Sequence, residues 1–298
     1  MSLKLHFLAL APCLLFLAAC TSGQSAELTT DLPPQPPMWV VSDADSEITL
    51  YPTFHILPAE IEWKSEELLK RLADADEVWF EIMPGSENDP SLQQSMIQLG
   101  FSPGSSLSSQ LTPPEVEALE KAVSVLGMSL EDVDSMQPWL VSTLISAGAL
   151  VSAGFDPAAG VETQLYPMVK GKKLRALETA KAQMQMLASI PEAAQMTMLR
   201  ETLEDLDEGI EELKEVAQDW AVGDVDDIED GLLDEMKADM PIVYDALIKV
   251  RNENWVVQIE DELKGSGTDF IAVGAGHLVG EDGVPAMLKA KGYSVKRL

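Results

Sequence analysis

Apolar residues recur along the chain with two different periods, and the two periods separate its ends from its middle. Near the C-terminus, Phe270-Ile271-Ala272-Val273 is an unbroken apolar run, which predicts a strand buried on both faces. Glycines follow at once, with His277 among them. Gly283 to Gly292 then places Val284, Met287 and Leu288 on one face of a short helix, and Tyr293 to Val295 reads as a last strand. The same order stands near the front. Glu47 to Tyr51 alternates as a strand, Pro52-Thr53-Phe54-His55 ends it, Ile61 to Ala73 has the period of an amphipathic helix, and Glu77 to Ile82 is the next strand. Each unit is strand, histidine loop, helix, strand. The two strands of such a unit run parallel, and the crevice at their carboxyl ends is where open α/β sheets place chemistry. Met38-Trp39-Val40-Val41 adds a hairpin strand in front of the first unit.

Between the units the helical period takes over. Leu92 to Leu99, Pro114 to Leu126, Trp139 to Ala153, Ala180 to Leu187, Pro191 to Val216 and Pro241 to Leu263 read as helices, the last carrying Arg251 and Trp255 four apart on one face. Lys172 to Leu177 reads as a strand among them. The expected fold is α/β, a mixed sheet built from the N- and C-terminal units, with a long helical insertion over about residues 90–264 of a single domain, 38–298. Trp139 to Phe155 is apolar, but serines and glycines thin it and it is short for a membrane span, so it reads as a buried helix. Met184, Met186, Met196 and Met198 read as core filler.

The first residues belong to neither pattern. Lys4, then Phe7 to Phe16, then Leu17-Ala18-Ala19-Cys20 form an export signal over 1–19, and its ending is similar to a bacterial lipobox. Cys20 would then be lipidated, residues 20–37 would form a proline-rich tether, and Thr21 after the cysteine fits an outer-membrane lipoprotein facing the periplasm. Cys13 leaves with the signal, so no disulfide forms within one mature chain. The net charge is −30, from 20 Lys and Arg against 50 Asp and Glu, which repels phosphate backbones and excludes a nucleic-acid partner. Much of the acid lies in Glu201 to Asp239, as solvated helix faces; Asp224 to Asp230 lacks the ligand-and-glycine pattern of a calcium loop.

The chain has three histidines. His6 lies in the signal, so both that remain, His55 and His277, follow a strand and precede a helix. Two imidazoles at the ends of neighbouring strands can give two nitrogen ligands to a divalent metal, and a strand-end carboxylate completes an open site. Glu81 is the first candidate, since it sits between apolar Phe80 and Ile82 at the end of the next strand; Glu162 and Glu178 come after it. Such a metal, zinc, manganese or cobalt, would activate a water for attack on a carbonyl. No G-x-S-x-G, HExxH or Walker pattern is present.

Gly274-Ala275-Gly276-His277-Leu278-Val279-Gly280, with Asp282-Gly283 and Gly292-Tyr293 behind it, resembles the C-terminal signature of the TraB/GumN family, relatives of the TIKI metalloproteases. The stretch Pro52-Thr53-Phe54-His55 is similar to that family's Gly-x-x-His motif. Gly160-Val161-Glu162, Leu177-Glu178-Thr179 and Arg251-Asn252 resemble its internal motifs, and the likeness spans about Trp39 to Leu298. The resemblance implies a fold shared with the erythromycin-esterase and ChaN-like group, and a metal site using both motif histidines and a glutamate. It also implies motif or substrate roles for Thr53, Gly160, Glu162, Glu178, Asn252, Gly274 and Gly276, with Arg251 facing substrate or oxyanion charge. In the TIKI branch such a site cleaves peptides. Pro52 departs from the motif, standing where the family has glycine. Two readings therefore stand: a lipid-anchored metallohydrolase, peptidase-like, acting on a peptide or small molecule; or a non-catalytic envelope lipoprotein of the same fold that holds a metal, haem or peptide.

Overall fold

The computed structural model describes residues 33–298 apart from 205, 225 and 230–232. The signal, Cys20 and the first part of the tether lie outside the described residues.

The sheet strands are β1 (Trp39–Ser42), β2 (Ser46–Thr53), β4 (Glu77–Phe80), β6 (Lys173–Ala176), β7 (Gly267–Gly274) and β8 (Ser294–Arg297), while β3 (Leu57–Pro58) and β5 (Phe155–Asp156) stand apart. The six lie in the order β6-β4-β7-β2-β1-β8. β6, β4, β7 and β2 are mutually parallel, and β1 is antiparallel to both β2 and β8. Both end units therefore have parallel strands, as expected, but they interleave. β7 slips between β2 and β4, and β2 and β1 lie between β7 and β8. The result is a mixed α/β fold with its three central strands, β4, β7 and β2, fully parallel and apolar: Val78, Trp79, Ile48, Leu50, Phe270, Ile271 and Ala272 are all buried.

Local chemistry fixes the helices that flank this centre. Ser65 caps the helix Glu66–Asp74 by accepting from the Leu68 amide, two acids fill its first turn, and Arg71 sits in its last. Thr179 caps Ala180–Ser189 in the same way through the Ala182 amide. The apolar stretch after Gln137 is the helix Pro138–Ser152, which buries Trp139, Leu140, Val141, Ile145 and Leu150. Two of its polar side chains are paired inside: Ser142 and Thr202 share a hydrogen bond of 2.6 Å, and Thr143 donates to the Trp139 carbonyl at 2.7 Å. No helix among the described residues is long and apolar enough to cross a membrane. Met184, Met196 and Met198 are buried in the core.

Two features depart from the pattern read along the chain. β3 and β5 form a two-residue antiparallel pair that is too short to leave a period in the sequence. Pro241 to Leu263 is Pro241–Tyr244, then a π-helical turn at Asp245–Lys249, then Val250–Glu262. A π turn rotates every later side chain relative to a plain helix, and it stands immediately before Arg251 and Asn252.

Candidate functional site

Parallel pairing puts Thr53 beside Gly274 at the ends of β2 and β7, and Phe80 beside Ala272 one strand over. The loops after β4, β7 and β2 thus leave the sheet side by side, carrying Glu81, His277 and His55. Glu81 and His277 are buried; His55 keeps 14% of its side chain exposed and forms the mouth.

Glu81 is the centre. Its Oε1 accepts from the Gly274 amide at 2.7 Å, and its Oε2 accepts from Arg251 Nη2 at 2.5 Å and Gln183 Nε2 at 3.1 Å. His55 Nε2 and His277 Nε2 each stand 3.9 Å from that same Oε1. Burial raises the Glu81 carboxyl, but Arg251, then the two histidines and the Gly274 amide, bring it down to about 2, so it is ionised.

The two histidines are held in different charge states. His55 Nδ1 meets Glu162 Oε1 at 2.9 Å, and Thr53 donates its hydroxyl to the same oxygen. Burial would lower His55; the attraction of Glu162, then of Glu81, overcomes it and pushes the imidazole up to about 9. His277 is wholly buried, and burial and then Arg251 hold it well below the usual range, hence neutral. Its Nδ1 donates to Asn252 Oδ1 at 2.6 Å, and Asn252 Nδ2 donates to the Asp282 carbonyl at 2.8 Å, which fixes the amide's orientation. Nε2 therefore carries the lone pair, and Arg251 Nη1 donates to it at 2.9 Å. Trp255 packs on the ring, centroids 4.3 Å apart.

Arg251 is the hub on the far side. It reaches Glu178 through Nε at 2.8 Å and through Nη2, and the Leu247 carbonyl through Nη1 at 2.9 Å. The π turn stands immediately before it, and the Leu247 carbonyl, Arg251 and Asn252 all address the site. Two glycines have steric reasons to be there. A Cβ on Gly160 would lie 2.1 Å from the His55 carbonyl, so only glycine lets the Glu162 helix approach the His55 loop. A Cβ on Gly274 would fall between the three central groups, 3.0 Å from Glu81 Oε1, 3.6 Å from the His277 ring and 3.7 Å from His55 Nε2.

The motif residues given a candidate role lie in this one place, from Thr53 and His55 through Glu81, Gly160, Glu162, Glu178, Arg251 and Asn252 to Gly274 and His277, whereas Gly292 and Tyr293 lie before β8 by Ser42, at the other end of the sheet. Gly276 contributes a buried turn, Ala275–His277, and no side chain. Pro52 lies past Leu50, the last β2 residue that β1 pairs, where β2 has a strand neighbour on one side only. A missing amide is tolerated there. Gln183, 2% exposed, was not anticipated: its Nε2 also donates to Glu178 Oε1 at 3.0 Å. The sequence offers no signal for it, since glutamine is common on helices.

As a metal cradle the set fits in donor type and in the space left by the side-chain-free Gly274, though not yet in spacing. Two ligands around an ion at ordinary bond lengths stand at most about 4.2 Å apart, whereas the imidazole nitrogens flank Glu81 at more than 4.8 Å from each other. Among the described residues, the acidic or histidine group that does meet 4.8 Å mutually is Glu77, Glu262 and Asp269, at the opposite, amino ends of β4 and β7. Lys173 pairs with Glu77, and Arg175 with Glu77 and Glu262.

Interleaved parallel strands with histidine loops at the carboxyl ends of β2 and β7 define a mixed α/β protein with two histidines and a glutamate at one sheet end. A profile of the TraB/PrgY/gumN family matches residues 37–297, and the chain belongs to that family. It is 24% identical over 226 residues to the uncharacterized protein YbaP of Escherichia coli (strain K12), covering 74% of this chain and 80% of YbaP, and equally to YbaP of Shigella flexneri. No solved structure matches.

Proposed function

We propose that this chain is a divalent-metal-dependent hydrolase of carbonyl compounds, peptidase-like, tethered through a lipid on Cys20 to the outer membrane and facing the periplasm. One observation carries the catalytic part: three adjacent parallel strands bring two imidazole nitrogens to 3.9 Å from one oxygen of Glu81. His55, Glu81 and His277 would hold the ion, which can be zinc, manganese or cobalt. When bound, it would supply a water of near-neutral pKa and polarise the substrate carbonyl. The chain's own groups do the rest. Glu162, steadied by Thr53, turns His55 so that Nε2 faces Glu81. Asn252 sets the His277 tautomer that leaves Nε2 inward. Arg251 and Gln183 occupy the second Glu81 oxygen and leave the first for the centre. Arg251 is also the positive charge within reach of a developing oxyanion. The membrane and periplasm parts rest on the export signal and the Leu17-Ala18-Ala19-Cys20 ending.

A second reading, a metal-, haem- or peptide-binding lipoprotein without turnover, is favoured by Pro52, which removes the amide a motif glycine offers. Incubating the full chain with a fluorogenic peptide library separates the two. The hydrolase reading expects cleavage that stops with chelator, returns with zinc, manganese or cobalt, and drops about a hundredfold or more in His277→Ala. Cleavage indifferent to chelator and to His277→Ala contradicts it, and metal binding without cleavage leaves the binding protein.

A further inference from the structure

A ring nitrogen has one lone pair, and at His277 both nitrogens are already committed: Nδ1 to Asn252 Oδ1 at 2.6 Å, Nε2 to Arg251 Nη1 at 2.9 Å. The same guanidinium also covers Glu81 Oε2 at 2.5 Å. Two of the three groups that face the centre are thus held by a cation that belongs to the chain. We infer that Arg251 is an internal stand-in for the metal, and that it leaves His277 and settles on Glu178 when a divalent ion binds. This rests on the metal reading above.

The route out is already built. Nε and Nη2 both reach Glu178, and Nη1 keeps a second acceptor, the Leu247 carbonyl at 2.9 Å. Leaving His277 therefore costs one hydrogen bond, and Glu178 is the more exposed carboxylate, at 15% against 4% for Glu81. The Trp255 ring, 4.8 Å from the guanidinium carbon, offers an aromatic face along the way. An arriving dication and a guanidinium a few ångströms apart in a buried site repel strongly, so the exchange is driven as well as permitted. Arg251 thereby sets an affinity threshold: the site is a closed ion-pair network at low metal and an open metal cradle at high metal.

The test is zinc affinity, measured by competition with a fluorescent chelator on the full chain in detergent, so that no turnover is needed. Arg251→Met removes the competing cation and is expected to bind zinc about tenfold tighter or more than wild type. Lys70→Met, which removes an exposed lysine paired with Asp74, controls for net charge and is expected to match wild type. Arg251→Gln, which keeps a donor for Glu178, gives the same comparison if the methionine variant does not fold. In the wild type, labelled arginine side chains report directly: the Arg251 Nη protons exchange slowly without metal and faster after zinc loading. Wild-type zinc affinity that equals or exceeds that of the Arg251 variants, with Nη exchange unchanged, overturns the inference and leaves the metal reading intact. No binding of zinc, manganese or cobalt by any chain overturns both.

Discussion

Gly160 and Arg251 illustrate how single positions decide what this site is. The Gly160 Cα touches the His55 carbonyl so closely that a methyl group would have to sit 2.1 Å from that oxygen and 3.1 Å from the Pro157 carbonyl. Gly160→Ala must therefore push the Glu162 helix away from the His55 loop, breaking the Val161 amide to Phe54 carbonyl bond of 2.9 Å. A loss of about 2–4 kcal/mol is expected, read as a lower urea midpoint, with His55 losing its Glu162 partner. An unchanged midpoint would mean that the approach is looser than these distances. The motif residues could be named from the chain because each is a chemically costly choice: a buried acid between apolar neighbours, histidines confined to two loops. Gln183 could not, because amides are common on helices and only the fold turns this one toward Glu81 and Glu178.

Strand β7 shows what the pattern of apolar residues can and cannot convey. Its run Phe270 to Val273 announces a doubly buried strand, and the structure extends it to Gly267–Gly274. What the run does not say is that β7 lies between β2 and β4, because partner choice depends on every strand at once. The Asp245–Lys249 π turn and the β3–β5 pair were equally silent: the first spans five residues and the second uses two on each side. At its amino end β7 bears a cost. Asp269 lies beside Glu77 and near Glu262, and burial, then these two acids, push its carboxyl up to about 6. The folded chain thus holds this proton more tightly than the unfolded chain does. That contribution is complete below the unfolded value near 4 and is lost as pH rises through about 6. Asp269→Asn is therefore expected to be more stable than wild type at pH 7 by about 1 kcal/mol after solvent screening, and equal to it near pH 4. Denaturant titrations at the two pH values check this; a difference of the same size at both would remove the acid cluster as its cause.

The whole chain carries a strongly negative charge, yet Arg251, 5% exposed, is placed against two carboxylates and a neutral imidazole. Around that point the sheet, the interleaved end units and the helical insertion each supply a part: β2, β4 and β7 the three central groups, the insertion Glu162, Glu178 and Gln183, and the helix after the π turn Arg251 and Asn252. Membership of the TraB/PrgY/gumN family fits this distribution over nearly the full length, 37–297. Among the described residues, the central strands carry a group of acids or histidines at each end, and the proposed metal belongs to the carboxyl end. The measurement is the metal content of the full chain, purified in detergent without chelator and then reloaded with zinc, manganese or cobalt, beside His55→Ala, His277→Ala and Glu77→Gln. About one ion per chain in the wild type and in Glu77→Gln, lost in both histidine variants, is the expected result. No ion in the reloaded wild type, or an ion that survives both histidine changes and disappears with Glu77→Gln, would contradict it.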